Sequence, residues 1–500
     1  MSMSNKKIII IGAGISGLSA GCYLQMNGYD TEIFELNSIP GGLCTAWKKS
    51  GYTFDGCIHS VGGLNPRYKM HQYWCELIDL DQVTFHYHDE LCRVIDENGN
   101  AVRFYTDPDK LEQELNAIAL EDTHFINDFI KAVKHLSKYD TQLSKPLELW
   151  TPLDYYLSQF KTAPYIQYLV KWQKSMEAMT KECQSALLKR VLNLDFFSRF
   201  PAYFFLFSLG NLHNKNAGYP IGGSLPLALS IERKYLALRG KVHYNSKVTR
   251  VNVKENRAIG ITLENGEIYN EADMVISAAD GHYTIFEMLE AKYINKKIEE
   301  LYTKHPMWPS AVLVSLGISR TFDNEPSQIE LSLKQPFVVD EKTHLEALPI
   351  TIYNFDPTLA GKGKTCLRVI LKTDNYTYWH DLRENDPDKY EQEKERVAKN
   401  LIGILEQLLG NITNHVEVVD IATPATFHRY TNNWKGCTQG WEWLPGLIPE
   451  TLKKELPGLK NFYMIGQWVM PGGGITSALV VGRDITRIIC KRDKKKFQVI

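Results

Sequence analysis

The chain has 500 residues, of which 44% are apolar and 23% charged, and its formal net charge is −1. This length exceeds what a single hydrophobic core usually supports, so two or three domains are expected. The nearly balanced charge gives no basis for general nucleic-acid binding, and we expect no nucleic-acid partner. Nine cysteines occur without a CxxC pair, which argues against a disulfide framework and favours a reducing compartment, the cytoplasm.

An apolar run from Ile8 to Leu24 follows two lysines near the N-terminus. This arrangement superficially resembles a signal peptide, but the run is shorter than the ~20 residues that a membrane-spanning helix needs. Glycines at patterned spacing inside the run are better explained by a strand followed by a helix. We therefore expect neither a cleavable signal nor a transmembrane span.

The same run begins a strand–helix–strand unit. Lys7–Ile11 is a β-branched strand of the kind that is buried in a parallel sheet. The pattern GxGxxG follows it, formed by Gly12, Gly14 and Gly17. A helix is predicted over Ser16–Asn27, and a second strand, Thr31–Phe34, ends at Glu35. This order predicts a site for an adenine dinucleotide.

Each part of the unit has a physical role. Gly12 permits a tight turn, Gly14 lets the backbone approach a pyrophosphate, and Gly17 allows the helix to pack closely on the strand. Ile15 and Ser16 open the helix, whose free N–H groups and partial positive charge attract phosphates. The pattern therefore predicts that the phosphates lie at the start of this helix.

Glu35 and a later glycine doublet indicate which dinucleotide is bound. Glu35 can accept hydrogen bonds from both ribose hydroxyls and would repel a 2′-phosphate. Gly41 and Gly42 precede Leu43, and an NAD site does not need this doublet. Two glycines do allow the backbone to run close beside a larger ligand.

The segment PGGLCTAWKKSGYTFDGCIHSVGG, which ends at Gly63, resembles the phytoene desaturase, carotenoid isomerase and retinol saturase family of FAD-dependent oxidoreductases. These enzymes belong to the amine-oxidase-like flavoproteins. The resemblance implies FAD as the cofactor, with Gly41, Gly42, Leu43 and His59 along it. Leu43 and Cys44 depart from the Gly-Gly-Arg version of many relatives, which removes one basic contact near the isoalloxazine ring.

Two further blocks carry the same resemblance. In the first, Lys247-Val248-Thr249 matches a family segment in which the backbone of the valine contacts the adenine. The second block is FYMIGQWVMPGGGITSALVVGRDITR, which resembles the closing flavin motif of the family. It implies a helix N-terminus against the flavin ring, with cofactor contacts from Gly466, Gly473, Gly474, Ile475 and Thr476.

The resemblance also implies the architecture, an α/β fold with a doubly wound, Rossmann-type FAD-binding domain, an inserted α+β substrate domain and a helical cap. We expect the FAD-binding domain to comprise residues 1–104, 216–290 and 441–500. Residues 105–215 would form the mainly helical cap, and residues 291–440 would form the substrate-binding sheet and helices.

Seven aromatic residues lie between Phe196 and Phe207. They form either ordinary core or the wall of a tunnel for a long apolar molecule that reaches the bilayer surface, and the resemblance favours the second interpretation. The basic run Lys491–Phe497 is either a solvated tail or a peripheral contact with an anionic membrane.

The resemblance implies hydride transfer at flavin N5 in desaturation, saturation or isomerisation of an apolar polyene or isoprenoid. Candidate catalytic residues are His59, Arg429 and Trp468.

His86 and His88 share one strand face with no identifiable third ligand, so we expect no metal site. The sequence contains a single convincing GxGxxG motif, so we expect no second dinucleotide site. The identity of the electron donor or acceptor is not determined by the sequence. A flavin amine oxidase and a prenyl-binding protein like the Rab GDP dissociation inhibitors are the alternatives.

Overall fold

A computed structural model describes residues 6–445, 451–470 and 472–499, so Pro471 of the last block lies outside the described residues. The described strands are β1 Lys7–Ile11, β2 Asp30–Phe34, β3 Ala46–Lys49, β4 Tyr52–Asp55, β5 Val61–Gly62, β6 Phe85–His86, β7 Glu90–Ile95, β8 Ala101–Tyr105, β9 Ala217–Pro220, β10 Lys241–His243, β11 Val248–Lys254, β12 Arg257–Leu263, β13 Ile268–Tyr269, β14 Met274–Ser277, β15 Ser310–Ile318, β16 Gln328–Val338, β17 His344–Ile352, β18 Thr365–Thr373, β19 Val416–Ala422 and β20 Phe462–Met464. The described α-helices are α1 Ile15–Met26, α2 Lys69–Cys75, α3 Pro108–Ile118, α4 Thr123–Leu136, α5 Pro152–Thr162, α6 Ile166–Lys171, α7 Met176–Thr180, α8 Ala186–Leu192, α9 Ala202–His213, α10 Ser224–Ala237, α11 Lys296–Lys304, α12 Tyr376–Asn385, α13 Pro387–Leu409, α14 Pro424–Thr431 and α15 Gly474–Arg492.

A parallel sheet combines strands from distant parts of the chain in the order β10-β2-β1-β14-β20. Ile9 is paired with Val275, and Val275 is paired with Phe462 in the next strand. The predicted first strand, helix and second strand are confirmed within one residue at each end. Because all strands run in the same direction, the loops after β1, β2, β14 and β20 meet at one edge.

Glycine allows α1 to approach two neighbouring elements. A Cβ atom at Gly17 would lie 2.0 Å from the carbonyl oxygen of Gly12, and one at Gly482 would lie 2.5 Å from the nitrogen of Ala20. The Ser19 hydroxyl also donates to the carbonyl of Leu479 at 2.7 Å. The close contact places α1 and α15 side by side, with their N-termini at the same edge of the sheet.

A seven-stranded sheet has the order β19-β15-β18-β17-β16-β7-β8. Alternate residues of its central strands pack with the buried face of α13, and Val369 and Leu401 belong to that core. The opposite face carries Ser315, Arg368 and Lys372, because Arg368 is paired with Ser315 and a strand alternates its faces. This polar face lies toward the parallel sheet.

The hairpin β7–β8 lies inside residues 1–104, which we expected to belong to the FAD-binding domain. It instead extends the seven-stranded sheet, with β7 parallel to β16 and Ile329 paired with Arg93. A hairpin adds to whichever sheet offers a free strand edge, and the sequence does not show which edge that is. Residues 90–105 therefore belong with the inserted sheet.

Helices α3–α9 form a separate layer with its own core, in which Phe129, Trp172 and Phe205 are buried. Residues 105–215, the predicted helical cap, contain helices α3–α9. Helices α5 and α6 contain no buried residue. In the described ranges, no helix has the length and apolar character that crossing a membrane requires.

Candidate cofactor and substrate site

An elongated cavity opens where the loops of the parallel sheet meet. The N-terminal part of the chain lines it with Gly12, Gly14, Ile15, Ser16, Glu35, Asn37, Gly41, Gly42 and Leu43. The middle of the chain adds Ser246, Lys247, Val248, Ala278, Ala279 and Asp280, and the C-terminal part adds Thr438, Gly466, Gln467, Trp468, Gly473, Gly474 and Ile475. The cavity thus unites three separated stretches, and Gly17, His59 and Thr476 are the predicted cofactor residues outside its lining.

One end of the cavity has the properties of a phosphate cradle. Gly14 precedes α1 with φ −65 and offers no side-chain cap to the first N–H groups of the helix. A Cβ atom at Gly14 would lie 4.0 Å from its nearest protein neighbour, the carbonyl oxygen of Gly41. Packing therefore does not require glycine at this position, whereas a ligand close to the backbone does. These residues fit the pyrophosphate of FAD.

The doublet loop lies directly beside this cradle. The amide of Gly41 donates to the carbonyl of Ala13 at 2.9 Å, and Gly41 and Gly42 have φ values of +112 and +60. Only glycine adopts such φ values without strain. The doublet therefore forms one wall of the cradle with backbone atoms alone.

Glu35 is oriented by backbone donors on both sides. Its Oε2 accepts from the amide of Ala13 at 2.7 Å, and its Oε1 accepts from the amide of Asn37 at 2.9 Å. Burial raises the pKa of the Glu35 carboxyl, and these hydrogen bonds oppose that effect. The side-chain amide of Asn37 also donates to Oε1 at 3.1 Å, so Oε2 is the oxygen that keeps a free lone pair for a ribose hydroxyl.

At the other end, the C-terminal glycines surround the start of α15. Gly466 and Gly473 have φ values of +102 and +56, and no side chain caps the helix. A Cβ atom at Gly474 would meet no protein atom within 4 Å. Trp468 is 1% exposed and packs against Trp441, with ring centroids 4.8 Å apart. This end leaves space and helical N–H groups for a planar ring system.

Asp280 is a cavity residue that the sequence placed only at the end of a strand. Its carboxylate accepts from the amides of Tyr283 at 2.8 Å and Trp434 at 3.1 Å. Burial raises its pKa to about 6. Asp280 lies three residues after the end of β14, and this position was the available signal, because ligands of such sheets lie beyond the carboxyl ends of the strands.

His59 lies outside the lining of this cavity. Its Nδ1 is 3.3 Å from Nη2 of Arg368, and its ring centroid is 5.9 Å from that of Phe196. The residue is exposed to solvent, and the space that it faces beside Phe196 is called the chamber below. Desolvation, Arg368 and Lys372 together lower the pKa of His59 to about 3, so the imidazole is neutral at physiological pH.

Some residues of the aromatic segment lie in the core of the helical layer, and others lie near His59. Phe197 and Phe205 are buried in the core of the helical layer. An aromatic wall beside His59 is formed by Phe196, Phe200, Phe204, Trp308 and Trp443. The ring of Trp443 would be 3.5 Å from a Cβ atom at Gly472, so this wall extends to the loop that precedes α15.

Arg429 lies on the exposed surface of α14, and its guanidinium carbon is 4.5 Å from the ring centroid of Tyr430. Tyr430 and Asn433 line the cavity, whereas Arg429 does not. The catalytic role of Arg429 stays a prediction.

Thr476 lies near Gly62, where a Cβ atom would be 3.8 Å from the threonine hydroxyl.

Comparison with known proteins gives matches along nearly the whole chain. The profile of the family described as flavin containing amine oxidoreductase matches residues 15–489. The chain is 24% identical to the chloroplastic prolycopene isomerase of Daucus carota, over 95% of this chain and 78% of the relative. It is 23% identical to the all-trans-retinol 13,14-reductase of Danio rerio, over 95% of this chain and 85% of the relative. These relatives confirm the predicted resemblance.

Among solved structures, wild-type putrescine oxidase bound to putrescine is similar to this chain with a TM-score of 0.58 and 13% identity, over 98% of this chain and 99% of that chain. The likeness confirms the predicted α/β fold class. Together with the family match, it confirms FAD as the predicted cofactor.

We predict that Gly14→Ala folds normally but binds FAD at least about tenfold more weakly, because the new methyl group occupies the cradle. Gly403→Ala is the matched control, since its new methyl group on α13 meets no atom within 4 Å. The flavin-to-protein absorbance ratio of each purified variant measures occupancy. Wild-type occupancy in Gly14→Ala would contradict the cradle.

We also predict that Glu35→Gln weakens FAD binding by about 10- to 100-fold, because hydrogen bonds to a charged acceptor contribute about 1.5–3 kcal/mol. Isothermal titration of the flavin-free protein with FAD gives the dissociation constants. An unchanged value would show that the ribose does not contact this carboxylate.

Proposed function

The chain belongs to the flavin-containing amine oxidoreductase family and is an FAD-dependent oxidoreductase, and we propose that it acts on the C–C or C=C bonds of a long polyene or isoprenoid. The observation that carries this proposal is the aromatic wall beside a neutral His59. Bound FAD supplies a hydride acceptor or donor at N5 of its ring. The protein contributes an apolar chamber in which a carbon chain is held.

The aromatic wall suits a carbon chain. Phe196, Phe200 and Trp308 lie within 6.2 Å of one another by ring centroids, and Phe196 exposes 37% of its surface. Aromatic surface of this kind binds apolar molecules by burial. The isomerase and reductase relatives act on a carotenoid and on retinol by name, which supports the same substrate class here.

The charges around the chamber argue against an amine substrate. Arg368 and Lys372 both lower the pKa of His59, but Lys372 is paired with Asp195 at 2.8 Å, so the uncompensated positive charge near His59 is that of Arg368. A protonated amine entering it would be repelled at these distances. This electrostatic environment favours the polyene proposal over a flavin amine oxidase.

The cofactor cradle argues against a binding protein that lacks FAD. Space beside Gly14 and Gly474 is not filled by side chains, and Glu35 keeps its acceptor capacity. In a protein that does not bind FAD, side chains would be expected to fill this space. The role of a prenyl-binding protein like the Rab GDP dissociation inhibitors is therefore disfavoured.

We predict that the purified protein is yellow and changes a polyene when coexpressed with a polyene-producing pathway. Chromatography of the lipid extract would show a desaturated, saturated or isomerised product, and its identity would fix the direction of the reaction. A strain carrying Gly14→Ala is the control. An unchanged polyene profile together with turnover of amines would contradict the proposal.

We propose in addition that the protein contacts membranes through α5 and α6. Large apolar side chains are exposed on both helices, with 58% of Tyr156, 61% of Phe160 and 57% of Val170 accessible. Residues 143–174 carry four lysines against one glutamate and one aspartate. A segment with an excess of lysine and exposed aromatic residues is typical of binding to an anionic bilayer surface.

The basic C-terminal run is less suited to this role. The ammonium of Lys495 lies 4.1 Å from the ring centroid of Tyr29, and Phe497 packs against Tyr23 at 6.0 Å. These contacts hold the run against α1 and its following loop. We therefore place the proposed peripheral membrane contact on α5 and α6.

We predict that the double variant Tyr156→Glu, Phe160→Glu cosediments with phosphatidylglycerol-containing vesicles at least about tenfold less than the wild type, because burial of each ring is lost. Ile268→Glu is the matched control, since Ile268 is 62% exposed on the distant strand β13. Equal cosedimentation of the double variant and the wild type would rule out this surface.

A further inference from the structure

Arg368 is a buried cation whose partners are not carboxylates. Its side chain is 2% exposed on the inward face of β18, and its Nη1 donates to the carbonyl of Asp55 at 2.9 Å. The carboxylate of Asp55 is engaged instead by Ser224 and Tyr219. Within the described parts of the chain, Arg368 forms no salt bridge. A buried charge without an ion-pair partner is costly, which calls for a function.

The contact with His59 gives Arg368 a defined effect. A guanidinium group has only donors, so Nδ1 of His59 must accept the hydrogen bond from Nη2 at 3.3 Å. The hydrogen of the neutral imidazole therefore resides on Nε2. Arg368 and Lys372 both oppose protonation of the ring, so a single tautomer is maintained.

The Nε2–H group has no acceptor among the residues that the structure describes, where the contacts of the His59 ring are the Arg368 hydrogen bond and the packing of Phe196. Because His59 is exposed, water satisfies this donor in the free protein. An apolar molecule that displaces the water leaves the donor unpaired unless it carries an acceptor, and an unpaired donor costs free energy.

We propose that His59 is a specificity-determining hydrogen-bond donor, which Arg368 holds in its Nε2–H tautomer. This donor selects apolar substrates that carry an oxygen acceptor, such as a hydroxyl, carbonyl or carboxylate group. This inference rests on the proposed function and narrows its substrate class. A pure hydrocarbon leaves the donor unpaired, whereas an oxygen acceptor satisfies it. Arg368 is a positioning residue, because it acts through His59.

The first test compares two probes that differ in one group. All-trans-retinol and the hydrocarbon with the same polyene but a terminal methyl group are titrated anaerobically into the FAD-loaded protein, and quenching of tryptophan fluorescence gives each Kd. We expect the wild type to bind retinol about 5- to 10-fold more tightly. His59→Phe should lose this preference while keeping its affinity for the hydrocarbon.

The second test reads the tautomer directly. In protein labelled with ¹⁵N-histidine, His59→Phe identifies the resonances of His59, and the wild type should show an unprotonated Nδ1. Arg368→Met should give mixed tautomers and a reduced preference for retinol, and Arg368→Lys, which keeps a donor, should restore both. Arg257→Met is the control, because Arg257 is exposed on β12, and FAD occupancy reports folding of every variant.

The outcomes separate this inference from the proposed function. Equal affinity of the wild type for both probes, or an unchanged His59 tautomer in folded Arg368→Met, would overturn the selective donor alone. Failure of the wild type to bind either probe would overturn the polyene proposal and with it this inference. Retention of the retinol preference in folded His59→Phe would also overturn the role of His59.

Discussion

The site depends on the parallel pairing of β1 with β2 on one side and β14 on the other. This pairing sends the carboxyl ends of the strands to one edge, where Gly12, Glu35 and Ala278 follow. Packing of α15 on α1 through Gly482 then brings a second helix N-terminus to the same edge. Every cofactor contact inferred above is a consequence of these backbone interactions, because each contact comes from a loop that the sheet positions.

The cofactor cavity and the chamber beside His59 differ in how their positive charge is distributed. In the cofactor cavity, helix N-termini and backbone amides supply diffuse positive potential, and Glu35 gives a localised acceptor held by Ala13. In the proposed substrate chamber, Arg368 donates to a neutral imidazole, and the second cation, Lys372, is paired with Asp195 at 2.8 Å. The first arrangement suits a polyanionic dinucleotide. The second orients one donor in apolar surroundings without placing a free charge against a carbon chain.

The sequence predicts the parts of the site that depend on local spacing. Gly14 and Glu35 belong to one strand–helix–strand unit, so their roles follow from a short stretch of chain. Arg368 could not be found in this way, because it meets His59 across 309 residues through the register of an antiparallel sheet. The sequence places residues 90–104 with the FAD-binding domain for the same reason, since their pattern does not show that β7 pairs with β16.

The order of the strands has a consequence for biosynthesis. The parallel sheet lacks its last strand until Phe462–Met464 has left the ribosome, and α15 emerges later still. Nascent chains therefore carry an unfinished sheet with an exposed edge for most of translation, a state prone to aggregation. A sufficient supply of chaperones during translation should therefore raise the yield of folded protein in a heterologous host.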